Sequence, residues 1–206
     1  MSVNQKENII SAASEKMRIA GIRSVSIDDI CQQLGISKKT FYVYFETKDL
    51  LIEELLRRRE KGIIQEVEQK TRGQAVIDIL LNVMYIARNV KDVRQAPSLV
   101  YDLNKYYPKL YEAHIARMSQ INHDIILKYL IQGQQEGFFR QDLDVELTAV
   151  GLSKLHQLIL DQSVHSTQEQ KEASAPIVKN MVDVMMRGII SHEGKLQVAE
   201  RLKNKQ

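Results

Sequence analysis

The chain has 206 residues, a formal net charge of +3 and 44% hydrophobic residues, which is enough apolar material to bury a sizeable core. Three prolines and nine glycines are too few for the many tight turns of a β-rich fold. The single cysteine, Cys31, excludes an internal disulfide and favours a reducing setting. The opening residues lack a secretory leader pattern, and the longest apolar runs are too short to span a bilayer. We therefore expect a soluble cytoplasmic protein.

Apolar residues recur at helical spacing along the chain, so the first elements are all expected to be helices. The first helix ends at Gly21, and a short second helix begins after Ser26 with a capping-box pattern. Gly35 ends that helix, Ser37 caps a third helix, and Thr47 caps a long fourth one.

Five further helices are predicted at residues 74–93, 97–106, 108–136, 145–164 and 168–192. Pro97 and Pro108 stand at first-turn positions, which suit proline. The segment GFFRQDLD is a connecting loop, and no strand-like alternation runs for more than a few residues. The sequence therefore predicts an all-α fold of about nine helices. An N-terminal three-helix domain, residues 1–50, precedes a larger helical domain, residues 51–206.

The second and third helices, joined by a glycine-containing turn, form a helix-turn-helix pattern, whose second helix enters the DNA major groove. Phe41 and Phe45 are four residues apart and are assigned to the core. Hydroxyls on the outer face suit phosphates, lysines suit guanine, and Val43 suits a thymine methyl group. Lys48 opposes the dipole of its own helix unless a phosphate binds there. The predicted DNA-contacting residues are Ser26, Ser37, Lys38, Lys39, Thr40, Tyr42, Val43, Tyr44 and Lys48.

For any one of these residues, a role without DNA is about as plausible as a DNA contact. The lysines could be solvated surface charges, and the tyrosines could be amphipathic core residues. An enzyme is the main alternative from another class, but no catalytic or metal-ligand pattern supports it. His114 and His123 are nine residues apart and fall on opposite sides of one helix, and Cys31 has no local histidine partner. We predict no catalysis, no metal and no cofactor, and we interpret Cys31 as a small core residue.

The opening region resembles the DNA-binding domain of the TetR/AcrR family of bacterial transcriptional regulators. The resemblance covers about residues 8–55 and lies in Ser26, Ile30, Gly35, Ser37, Thr40, Phe41, Tyr42, Tyr44, Phe45, Lys48 and Leu51. Tyr44 stands where histidine is common in the family, and Lys39 stands where glycine is frequent. Because of Lys39, we infer no DNA base preference for this chain from the family.

One short helix-turn-helix contacts few base pairs, so a homodimer on a palindromic operator is expected. The last two long helices carry apolar stripes that each include a glycine, and the resemblance implies a four-helix dimer interface there. The predicted interface residues are Leu147, Gly151, Leu155, Leu158, Ile177, Met181, Val184, Met185 and Gly188. The same stripes also fit, in part, an intrachain core.

The resemblance also implies that an inducing small molecule binds in the larger helical domain, in a mostly apolar pocket with a few polar groups. The candidate lining residues are Met84, Tyr85, Tyr101, Tyr107, Tyr111, His114, Met118 and His156. The predicted function is a cytoplasmic, nucleoid-associated, sequence-specific DNA-binding protein, namely a dimeric repressor released by a small ligand. A ligand-independent interaction protein bound to DNA, or a transcriptional activator, is the alternative.

Overall fold

The computed structural model describes residues 2–80, 97–165 and 168–203, and these residues are almost entirely helical. The helices are α1 (Ser2–Ala20), α2 (Ile27–Leu34), α3 (Lys38–Tyr44), α4 (Lys48–Thr71), α5 (Pro97–Tyr106), α6 (Pro108–Gln135), α7 (Val145–His165), α8 (Gln168–Ile189) and α9 (His192–Lys203). Residues 76–80 are also helical. The predicted all-α fold with an N-terminal helix-turn-helix is confirmed. Within these described ranges, no helix combines the length and the apolar character needed to cross a membrane.

Local sequence signals explain where the short helices begin and end. Ser26 caps α2: its hydroxyl accepts from the backbone N–H of Asp29 at 3.1 Å, and the Asp29 carboxylate accepts from the backbone N–H of Ser26 at 2.7 Å. Gly35 ends α2 in the left-handed conformation at φ 63°, which glycine adopts without strain. Pro97 and Pro108 are the first residues of α5 and α6, as predicted.

The chain divides into two compact units, and the first contains Met1–Gln69 with Val93–Met118. Its core is built around the helix-turn-helix and includes Ile9, Ile10, Ala13, Met17, Ile22, Ile30, Cys31, Phe41, Phe45, Leu51, Ile52, Leu56 and Leu103. The predicted domain boundary after residue 50 falls inside α4, whose first turns supply buried side chains to this core.

Helix α5 belongs to the same unit because it packs on the loop between α1 and α2. Leu103 is fully buried, and the Asp102 carboxylate accepts from the backbone N–H of Arg23 at 3.2 Å. The guanidinium of Arg23 also lies over the Tyr106 ring, 4.3 Å from its centroid. A β-carbon at Gly21 would lie 2.8 Å from Asp102 Oδ2, and Gly21 has φ +83°, so this loop requires glycine.

The second unit contains Lys70–Asp92 with Ser119–Gln206. Its core forms where the loop after α6 inserts Phe138 and Phe139, both buried, beside Leu130 and Ala149. Gly133 on α6 lets the Phe139 ring approach, because a β-carbon there would overlap the ring. The EGFFR segment is therefore a core-building loop.

The predicted single helix over residues 168–192 is wrong at its end. Helix α8 stops at Ile189, because Ile190 pairs with Phe139 in an antiparallel bridge. Ser191 then starts α9: its backbone N–H donates to Phe138 O at 3.0 Å, and its hydroxyl accepts from the N–H of Gly194 at 2.8 Å. The basic tail is therefore helical from His192 to Lys203.

The predicted helix over residues 74–93 is described only at its beginning, where residues 76–80 are helical. Val76 is anchored there, since its backbone N–H donates to the Glu136 carboxylate at 2.8 Å. The rest of that helix, including the candidate residues Met84 and Tyr85, lies outside the described residues.

Candidate nucleic-acid interface

Helix α3 has one buried and one exposed face. Phe41 is fully buried and Phe45 nearly so, which confirms their assignment to the core. On the opposite side Val43 is 74% exposed, and Lys39 is also exposed. Tyr42 flanks this face: its ring meets the Phe41 ring edge-on at 5.7 Å and is 47% exposed. A large apolar side chain as exposed as Val43 on a short helix is the kind of group that contacts a thymine methyl.

The N-terminus of α3 carries two hydroxyls that organise the start of the helix. Ser37 Oγ accepts from the backbone N–H of Thr40 at 3.1 Å, as an N-cap does. The two hydroxyl oxygens lie 2.9 Å apart and share a hydrogen bond. Ser37 is exposed and Thr40 is half-buried. Both hydroxyls therefore lie at the rim of the exposed face.

Lys38 is not a free cation, because its ammonium lies 2.8 Å from the carboxylate of Asp28 in the first turn of α2. The hydrogen bond to Asp28 holds the pKa of Lys38 above its usual range, and the attraction of the two charges adds to this. Sequence reasoning missed Asp28. The available signal was that both residues belong to the first turns of neighbouring short helices.

Lys48 turns inward rather than outward. Its ammonium donates to Ile22 O at 2.6 Å and lies 5.9 Å from the centroid of the Tyr107 ring. Burial lowers the pKa of Lys48, although the nearby carboxylates of Asp49 and Asp102 oppose that shift. Lys48 thus fastens the start of α4 to the loop before α2. Its contact with phosphate stays a prediction.

The other two predicted DNA contacts also have structural partners. The Ser26 hydroxyl both accepts from the Asp29 N–H and donates to the Asp29 carboxylate at 2.6 Å. Tyr44 is half-buried and packs against the core of the first unit. Ser26, Ser37 and Lys38 are exposed but bonded to neighbouring residues. Lys39, Tyr42 and Val43 form the rest of the exposed predicted set.

The candidate ligand residues are divided between the two units. Tyr107 and Tyr111 pack against the first core, and burial raises the pKa of Tyr107. Tyr101 is exposed, and its hydroxyl accepts from Lys105 Nζ at 2.8 Å. His114 and Met118 are half-buried in the first unit, whereas His156 belongs to the second unit and is exposed.

A buried carboxylate that the sequence did not reveal joins α4 to α6. Glu60 is 5% exposed, and its two oxygens lie 2.7 Å from His114 Nδ1 and 2.9 Å from Arg117 Nε. Burial alone would raise the pKa of Glu60, but the hydrogen bonds from Arg117 and His114 outweigh burial and lower it. Because a carboxylate only accepts, His114 donates through Nδ1.

The predicted interface residues lie on α7 and α8, and most of them face solvent in the single chain. Leu147 is 71% and Ile177 is 63% exposed, and Leu158, Met181 and Val184 are also exposed. Gly151 and Gly188 are exposed as well, Met185 is half-buried, and Leu155 is buried within the chain. This leaves an extended apolar surface, which monomeric proteins rarely display.

Helices α2 and α3 form a helix-turn-helix: α3 is short, has an exposed outer face, and shares a core with α1, α2 and α4. This arrangement is typical of DNA-binding proteins. Residues 9–55 match the family model described as bacterial regulatory proteins, tetR family. The match covers α2, α3 and the adjoining parts of α1 and α4, so this region of the chain is similar to tetR-family regulators.

Two relatives extend the similarity beyond the helix-turn-helix. The chain is 21% identical over 150 residues to the uncharacterized HTH-type transcriptional regulator YdgC of Bacillus subtilis. The aligned region covers 71% of this chain and 74% of YdgC. It is 23% identical over 154 residues to the HTH-type transcriptional repressor KstR2 of Rhodococcus jostii, which covers 69% of this chain and 72% of KstR2.

Solved structures show the same fold along almost the whole chain. A transcriptional regulator from Saccharomonospora viridis, solved in complex with choline, is 20% identical with a TM-score of 0.65 and covers 93% of this chain and 100% of its own. A transcriptional regulator from Cytophaga hutchinsonii is 17% identical with a TM-score of 0.66 and covers 90% of this chain and 98% of its own.

Proposed function

We propose that this regulator is a dimeric repressor that binds a palindromic operator and leaves it when a small molecule binds. The observation that carries the proposal is the two-faced α3, with its phenylalanines buried and Lys39, Tyr42 and Val43 directed outward. An exposed valine beside an exposed lysine and tyrosine on the second helix of a helix-turn-helix offers apolar and hydrogen-bonding contacts that suit base edges and phosphates. The cytoplasm, where the nucleoid lies, is the proposed location.

Base recognition falls to the three outward residues. Lys39 reaches guanine O6 or N7, Val43 meets a thymine methyl, and the Tyr42 hydroxyl donates to a base edge or a phosphate. Ser37 and Thr40, at the rim of α3, and Ser26, Lys38, Tyr44 and Lys48 around it are assigned to phosphates. Ser26, Lys38, Tyr44 and Lys48 already contact other protein groups. To bind a phosphate, each would have to exchange its present partner or share a hydrogen bond.

Dimerisation is supported by the exposed apolar surface on α7 and α8. The ideal β-carbon position of Gly151 lies 4.0 Å from Met185 Cε, so the two helices are neighbours at this point. A second copy of the chain would bury this face by two-fold symmetry, which places the same residues on both sides. The two helix-turn-helix units of the dimer would then contact the two half-sites of a palindrome.

Repression is supported by the name of one relative, KstR2, as a transcriptional repressor, and a small-molecule effector by a regulator of the same fold solved in complex with choline. In this proposal residues 1–50 read DNA and residues 51–206 bind the effector and form the dimer. A ligand that binds better to the DNA-free form must weaken DNA binding by the same factor. The proposed contacts among the described residues remain Tyr101, Tyr107, Tyr111, His114 and Met118, and separately His156.

The test is selection of bound fragments from sheared DNA of the source organism, followed by footprinting of the recovered sites. The proposal expects a short palindrome in which two protected half-sites lie one helical turn, or a multiple of it, apart. Recovery of fragments without a shared sequence would overturn operator recognition. A shared but asymmetric site protected over a single half would overturn the dimer.

A further inference from the structure

Two of the three lysines assigned to DNA are already engaged by the protein itself. The Lys38 ammonium lies 2.8 Å from Asp28 Oδ1, and the Lys48 ammonium donates to Ile22 O at 2.6 Å. Lys39 is exposed. The electrostatic surface around α3 is therefore weaker than the count of lysines in the sequence indicates.

Asp28 lies in the first turn of α2 but takes no part in its capping box. The capping box of α2 is formed entirely by Ser26 and Asp29. The Asp28 carboxylate is 65% exposed and its partner Lys38 is 59% exposed, and ion pairs with this exposure add little to stability. Asp28 also places a negative charge beside the helix that meets a polyanion, which opposes DNA binding.

The part of DNA affinity that does not depend on sequence comes from cations that displace counterions from phosphates. A lysine bonded to a carboxylate brings no net charge to the DNA, so it displaces no counterion unless that bond opens. We propose that Asp28 restrains sequence-independent DNA binding by holding Lys38 away from phosphates. This inference rests on the proposed function, since it concerns the same DNA-binding surface.

The restraint gives a defined signature in the dependence of affinity on salt. One additional phosphate contact steepens the slope of log K against log salt by about 0.9 and strengthens binding roughly eightfold at about 0.1 M salt. Removing the Asp28 charge should free Lys38 for one phosphate contact. The slope of log K against log salt should therefore steepen by about 0.9. Removing both charges should return the protein to wild-type behaviour.

The experiment is a fluorescence anisotropy titration of a random-sequence duplex at several salt concentrations with the full-length protein. The variants are Asp28→Asn, Lys38→Met and the double variant, and melting temperatures confirm that each is folded. The matched control is Asp142→Asn, which removes the carboxylate from a comparably exposed pair with Arg140 at 2.6 Å outside the helix-turn-helix; Arg140 keeps its hydrogen bond to Gly188 O.

We expect Asp28→Asn to bind the duplex about twofold to fivefold more tightly at about 0.1 M salt, because an exposed pair holds Lys38 only weakly, and to show the steeper slope. The double variant should match the wild type, and Asp142→Asn should leave affinity and slope unchanged. A wild-type slope in Asp28→Asn overturns the inference. An equal gain in the double variant overturns it too, because Asp28 then acts by repulsion alone and not through Lys38.

These outcomes are separable from failure of the proposed function. If the wild type binds no duplex at any salt concentration and selects no sequence, the proposed function fails. If the wild type binds DNA with a normal salt dependence and Asp28→Asn matches it, only the role of Asp28 fails.

Discussion

At the scale of single residues, the polar contacts that tie the helices together were invisible in the sequence. Periodicity placed Phe41 and Phe45 in the core correctly, because burial follows directly from spacing along a helix. The helix-dipole argument assigned Lys48 to a phosphate, whereas in the folded chain its ammonium donates to Ile22 O. A backbone carbonyl of a distant loop leaves no trace in a helical pattern.

Glu60 shows the same limit, because its partners His114 and Arg117 belong to another helix. Glu60→Gln should lower the free energy of unfolding by about 1–3 kcal/mol, since it removes the charge that compensates Arg117. The change is measured by urea denaturation at neutral pH. The matched control is Glu53→Gln on the same helix, whose partially exposed pair with Arg57 should contribute less than about 1 kcal/mol.

The lowered pKa of Glu60 also gives stability a pH dependence with a defined sign. A carboxyl group with a depressed folded-state pKa stabilises fully above its ordinary value of 4.5 and loses that contribution as the pH falls through the folded value. Wild type should therefore lose more stability than Glu60→Gln when the pH falls below about 4.5. Parallel losses in the two proteins would show that the carboxylate carries none of this effect.

At the scale of elements, helix starts could be predicted from the sequence and the end of α8 could not. Ser26, Ser37 and Thr47 each accept a hydrogen bond from a backbone N–H three residues later, as their positions before apolar runs indicated. The end of α8 is set by the bridge between Ile190 and Phe139, which are far apart in sequence. Such a pairing overrides local helix propensity.

Gly194 tests the packing that starts α9. A β-carbon at this position would overlap the carbonyl oxygen of Phe138, so Gly194→Ala should destabilise the protein by about 1–3 kcal/mol. Gly62→Ala on α4 is the control, because nothing lies within 4 Å of its β-carbon position and alanine favours helices. Equal unfolding midpoints for the two variants in urea would contradict the account of this junction.

The apolar surface of α7 and α8 makes a prediction about assembly. Ile177→Lys places a charge in the proposed dimer interface, where it has no partner and costs several kcal/mol to bury (roughly 2–5). Sedimentation velocity should show the wild type as a dimer and the variant as a folded monomer at the same concentration. Leu196→Lys on α9, a comparably exposed leucine, should leave the dimer intact. Dimeric Ile177→Lys would place the interface elsewhere.

At the scale of the whole molecule, the all-α fold class and the resemblance of residues 9–55 to the tetR family could be predicted, but the division into units could not. Helical periodicity and the spacing of Ser37, Thr40, Phe41 and Phe45 were sufficient for the class. Helix α5 belongs to the same unit as the helix-turn-helix because Leu103 is buried in their shared core and Asp102 contacts the loop at Arg23. These are long-range contacts, and a pattern of local helices contains no information about them.

The central claim is that the exposed face of α3 reads DNA. Its most direct test is an anisotropy titration of the selected fragment with wild type and with the double variant Lys39→Ala, Tyr42→Ala. The matched control is Lys105→Ala, Tyr101→Ala, which removes an exposed lysine and tyrosine from α5. The account predicts that the first pair weakens binding by at least about tenfold, since each good base contact contributes about 1–3 kcal/mol, and that the control pair does not. Wild-type affinity in the Lys39, Tyr42 variant would contradict it.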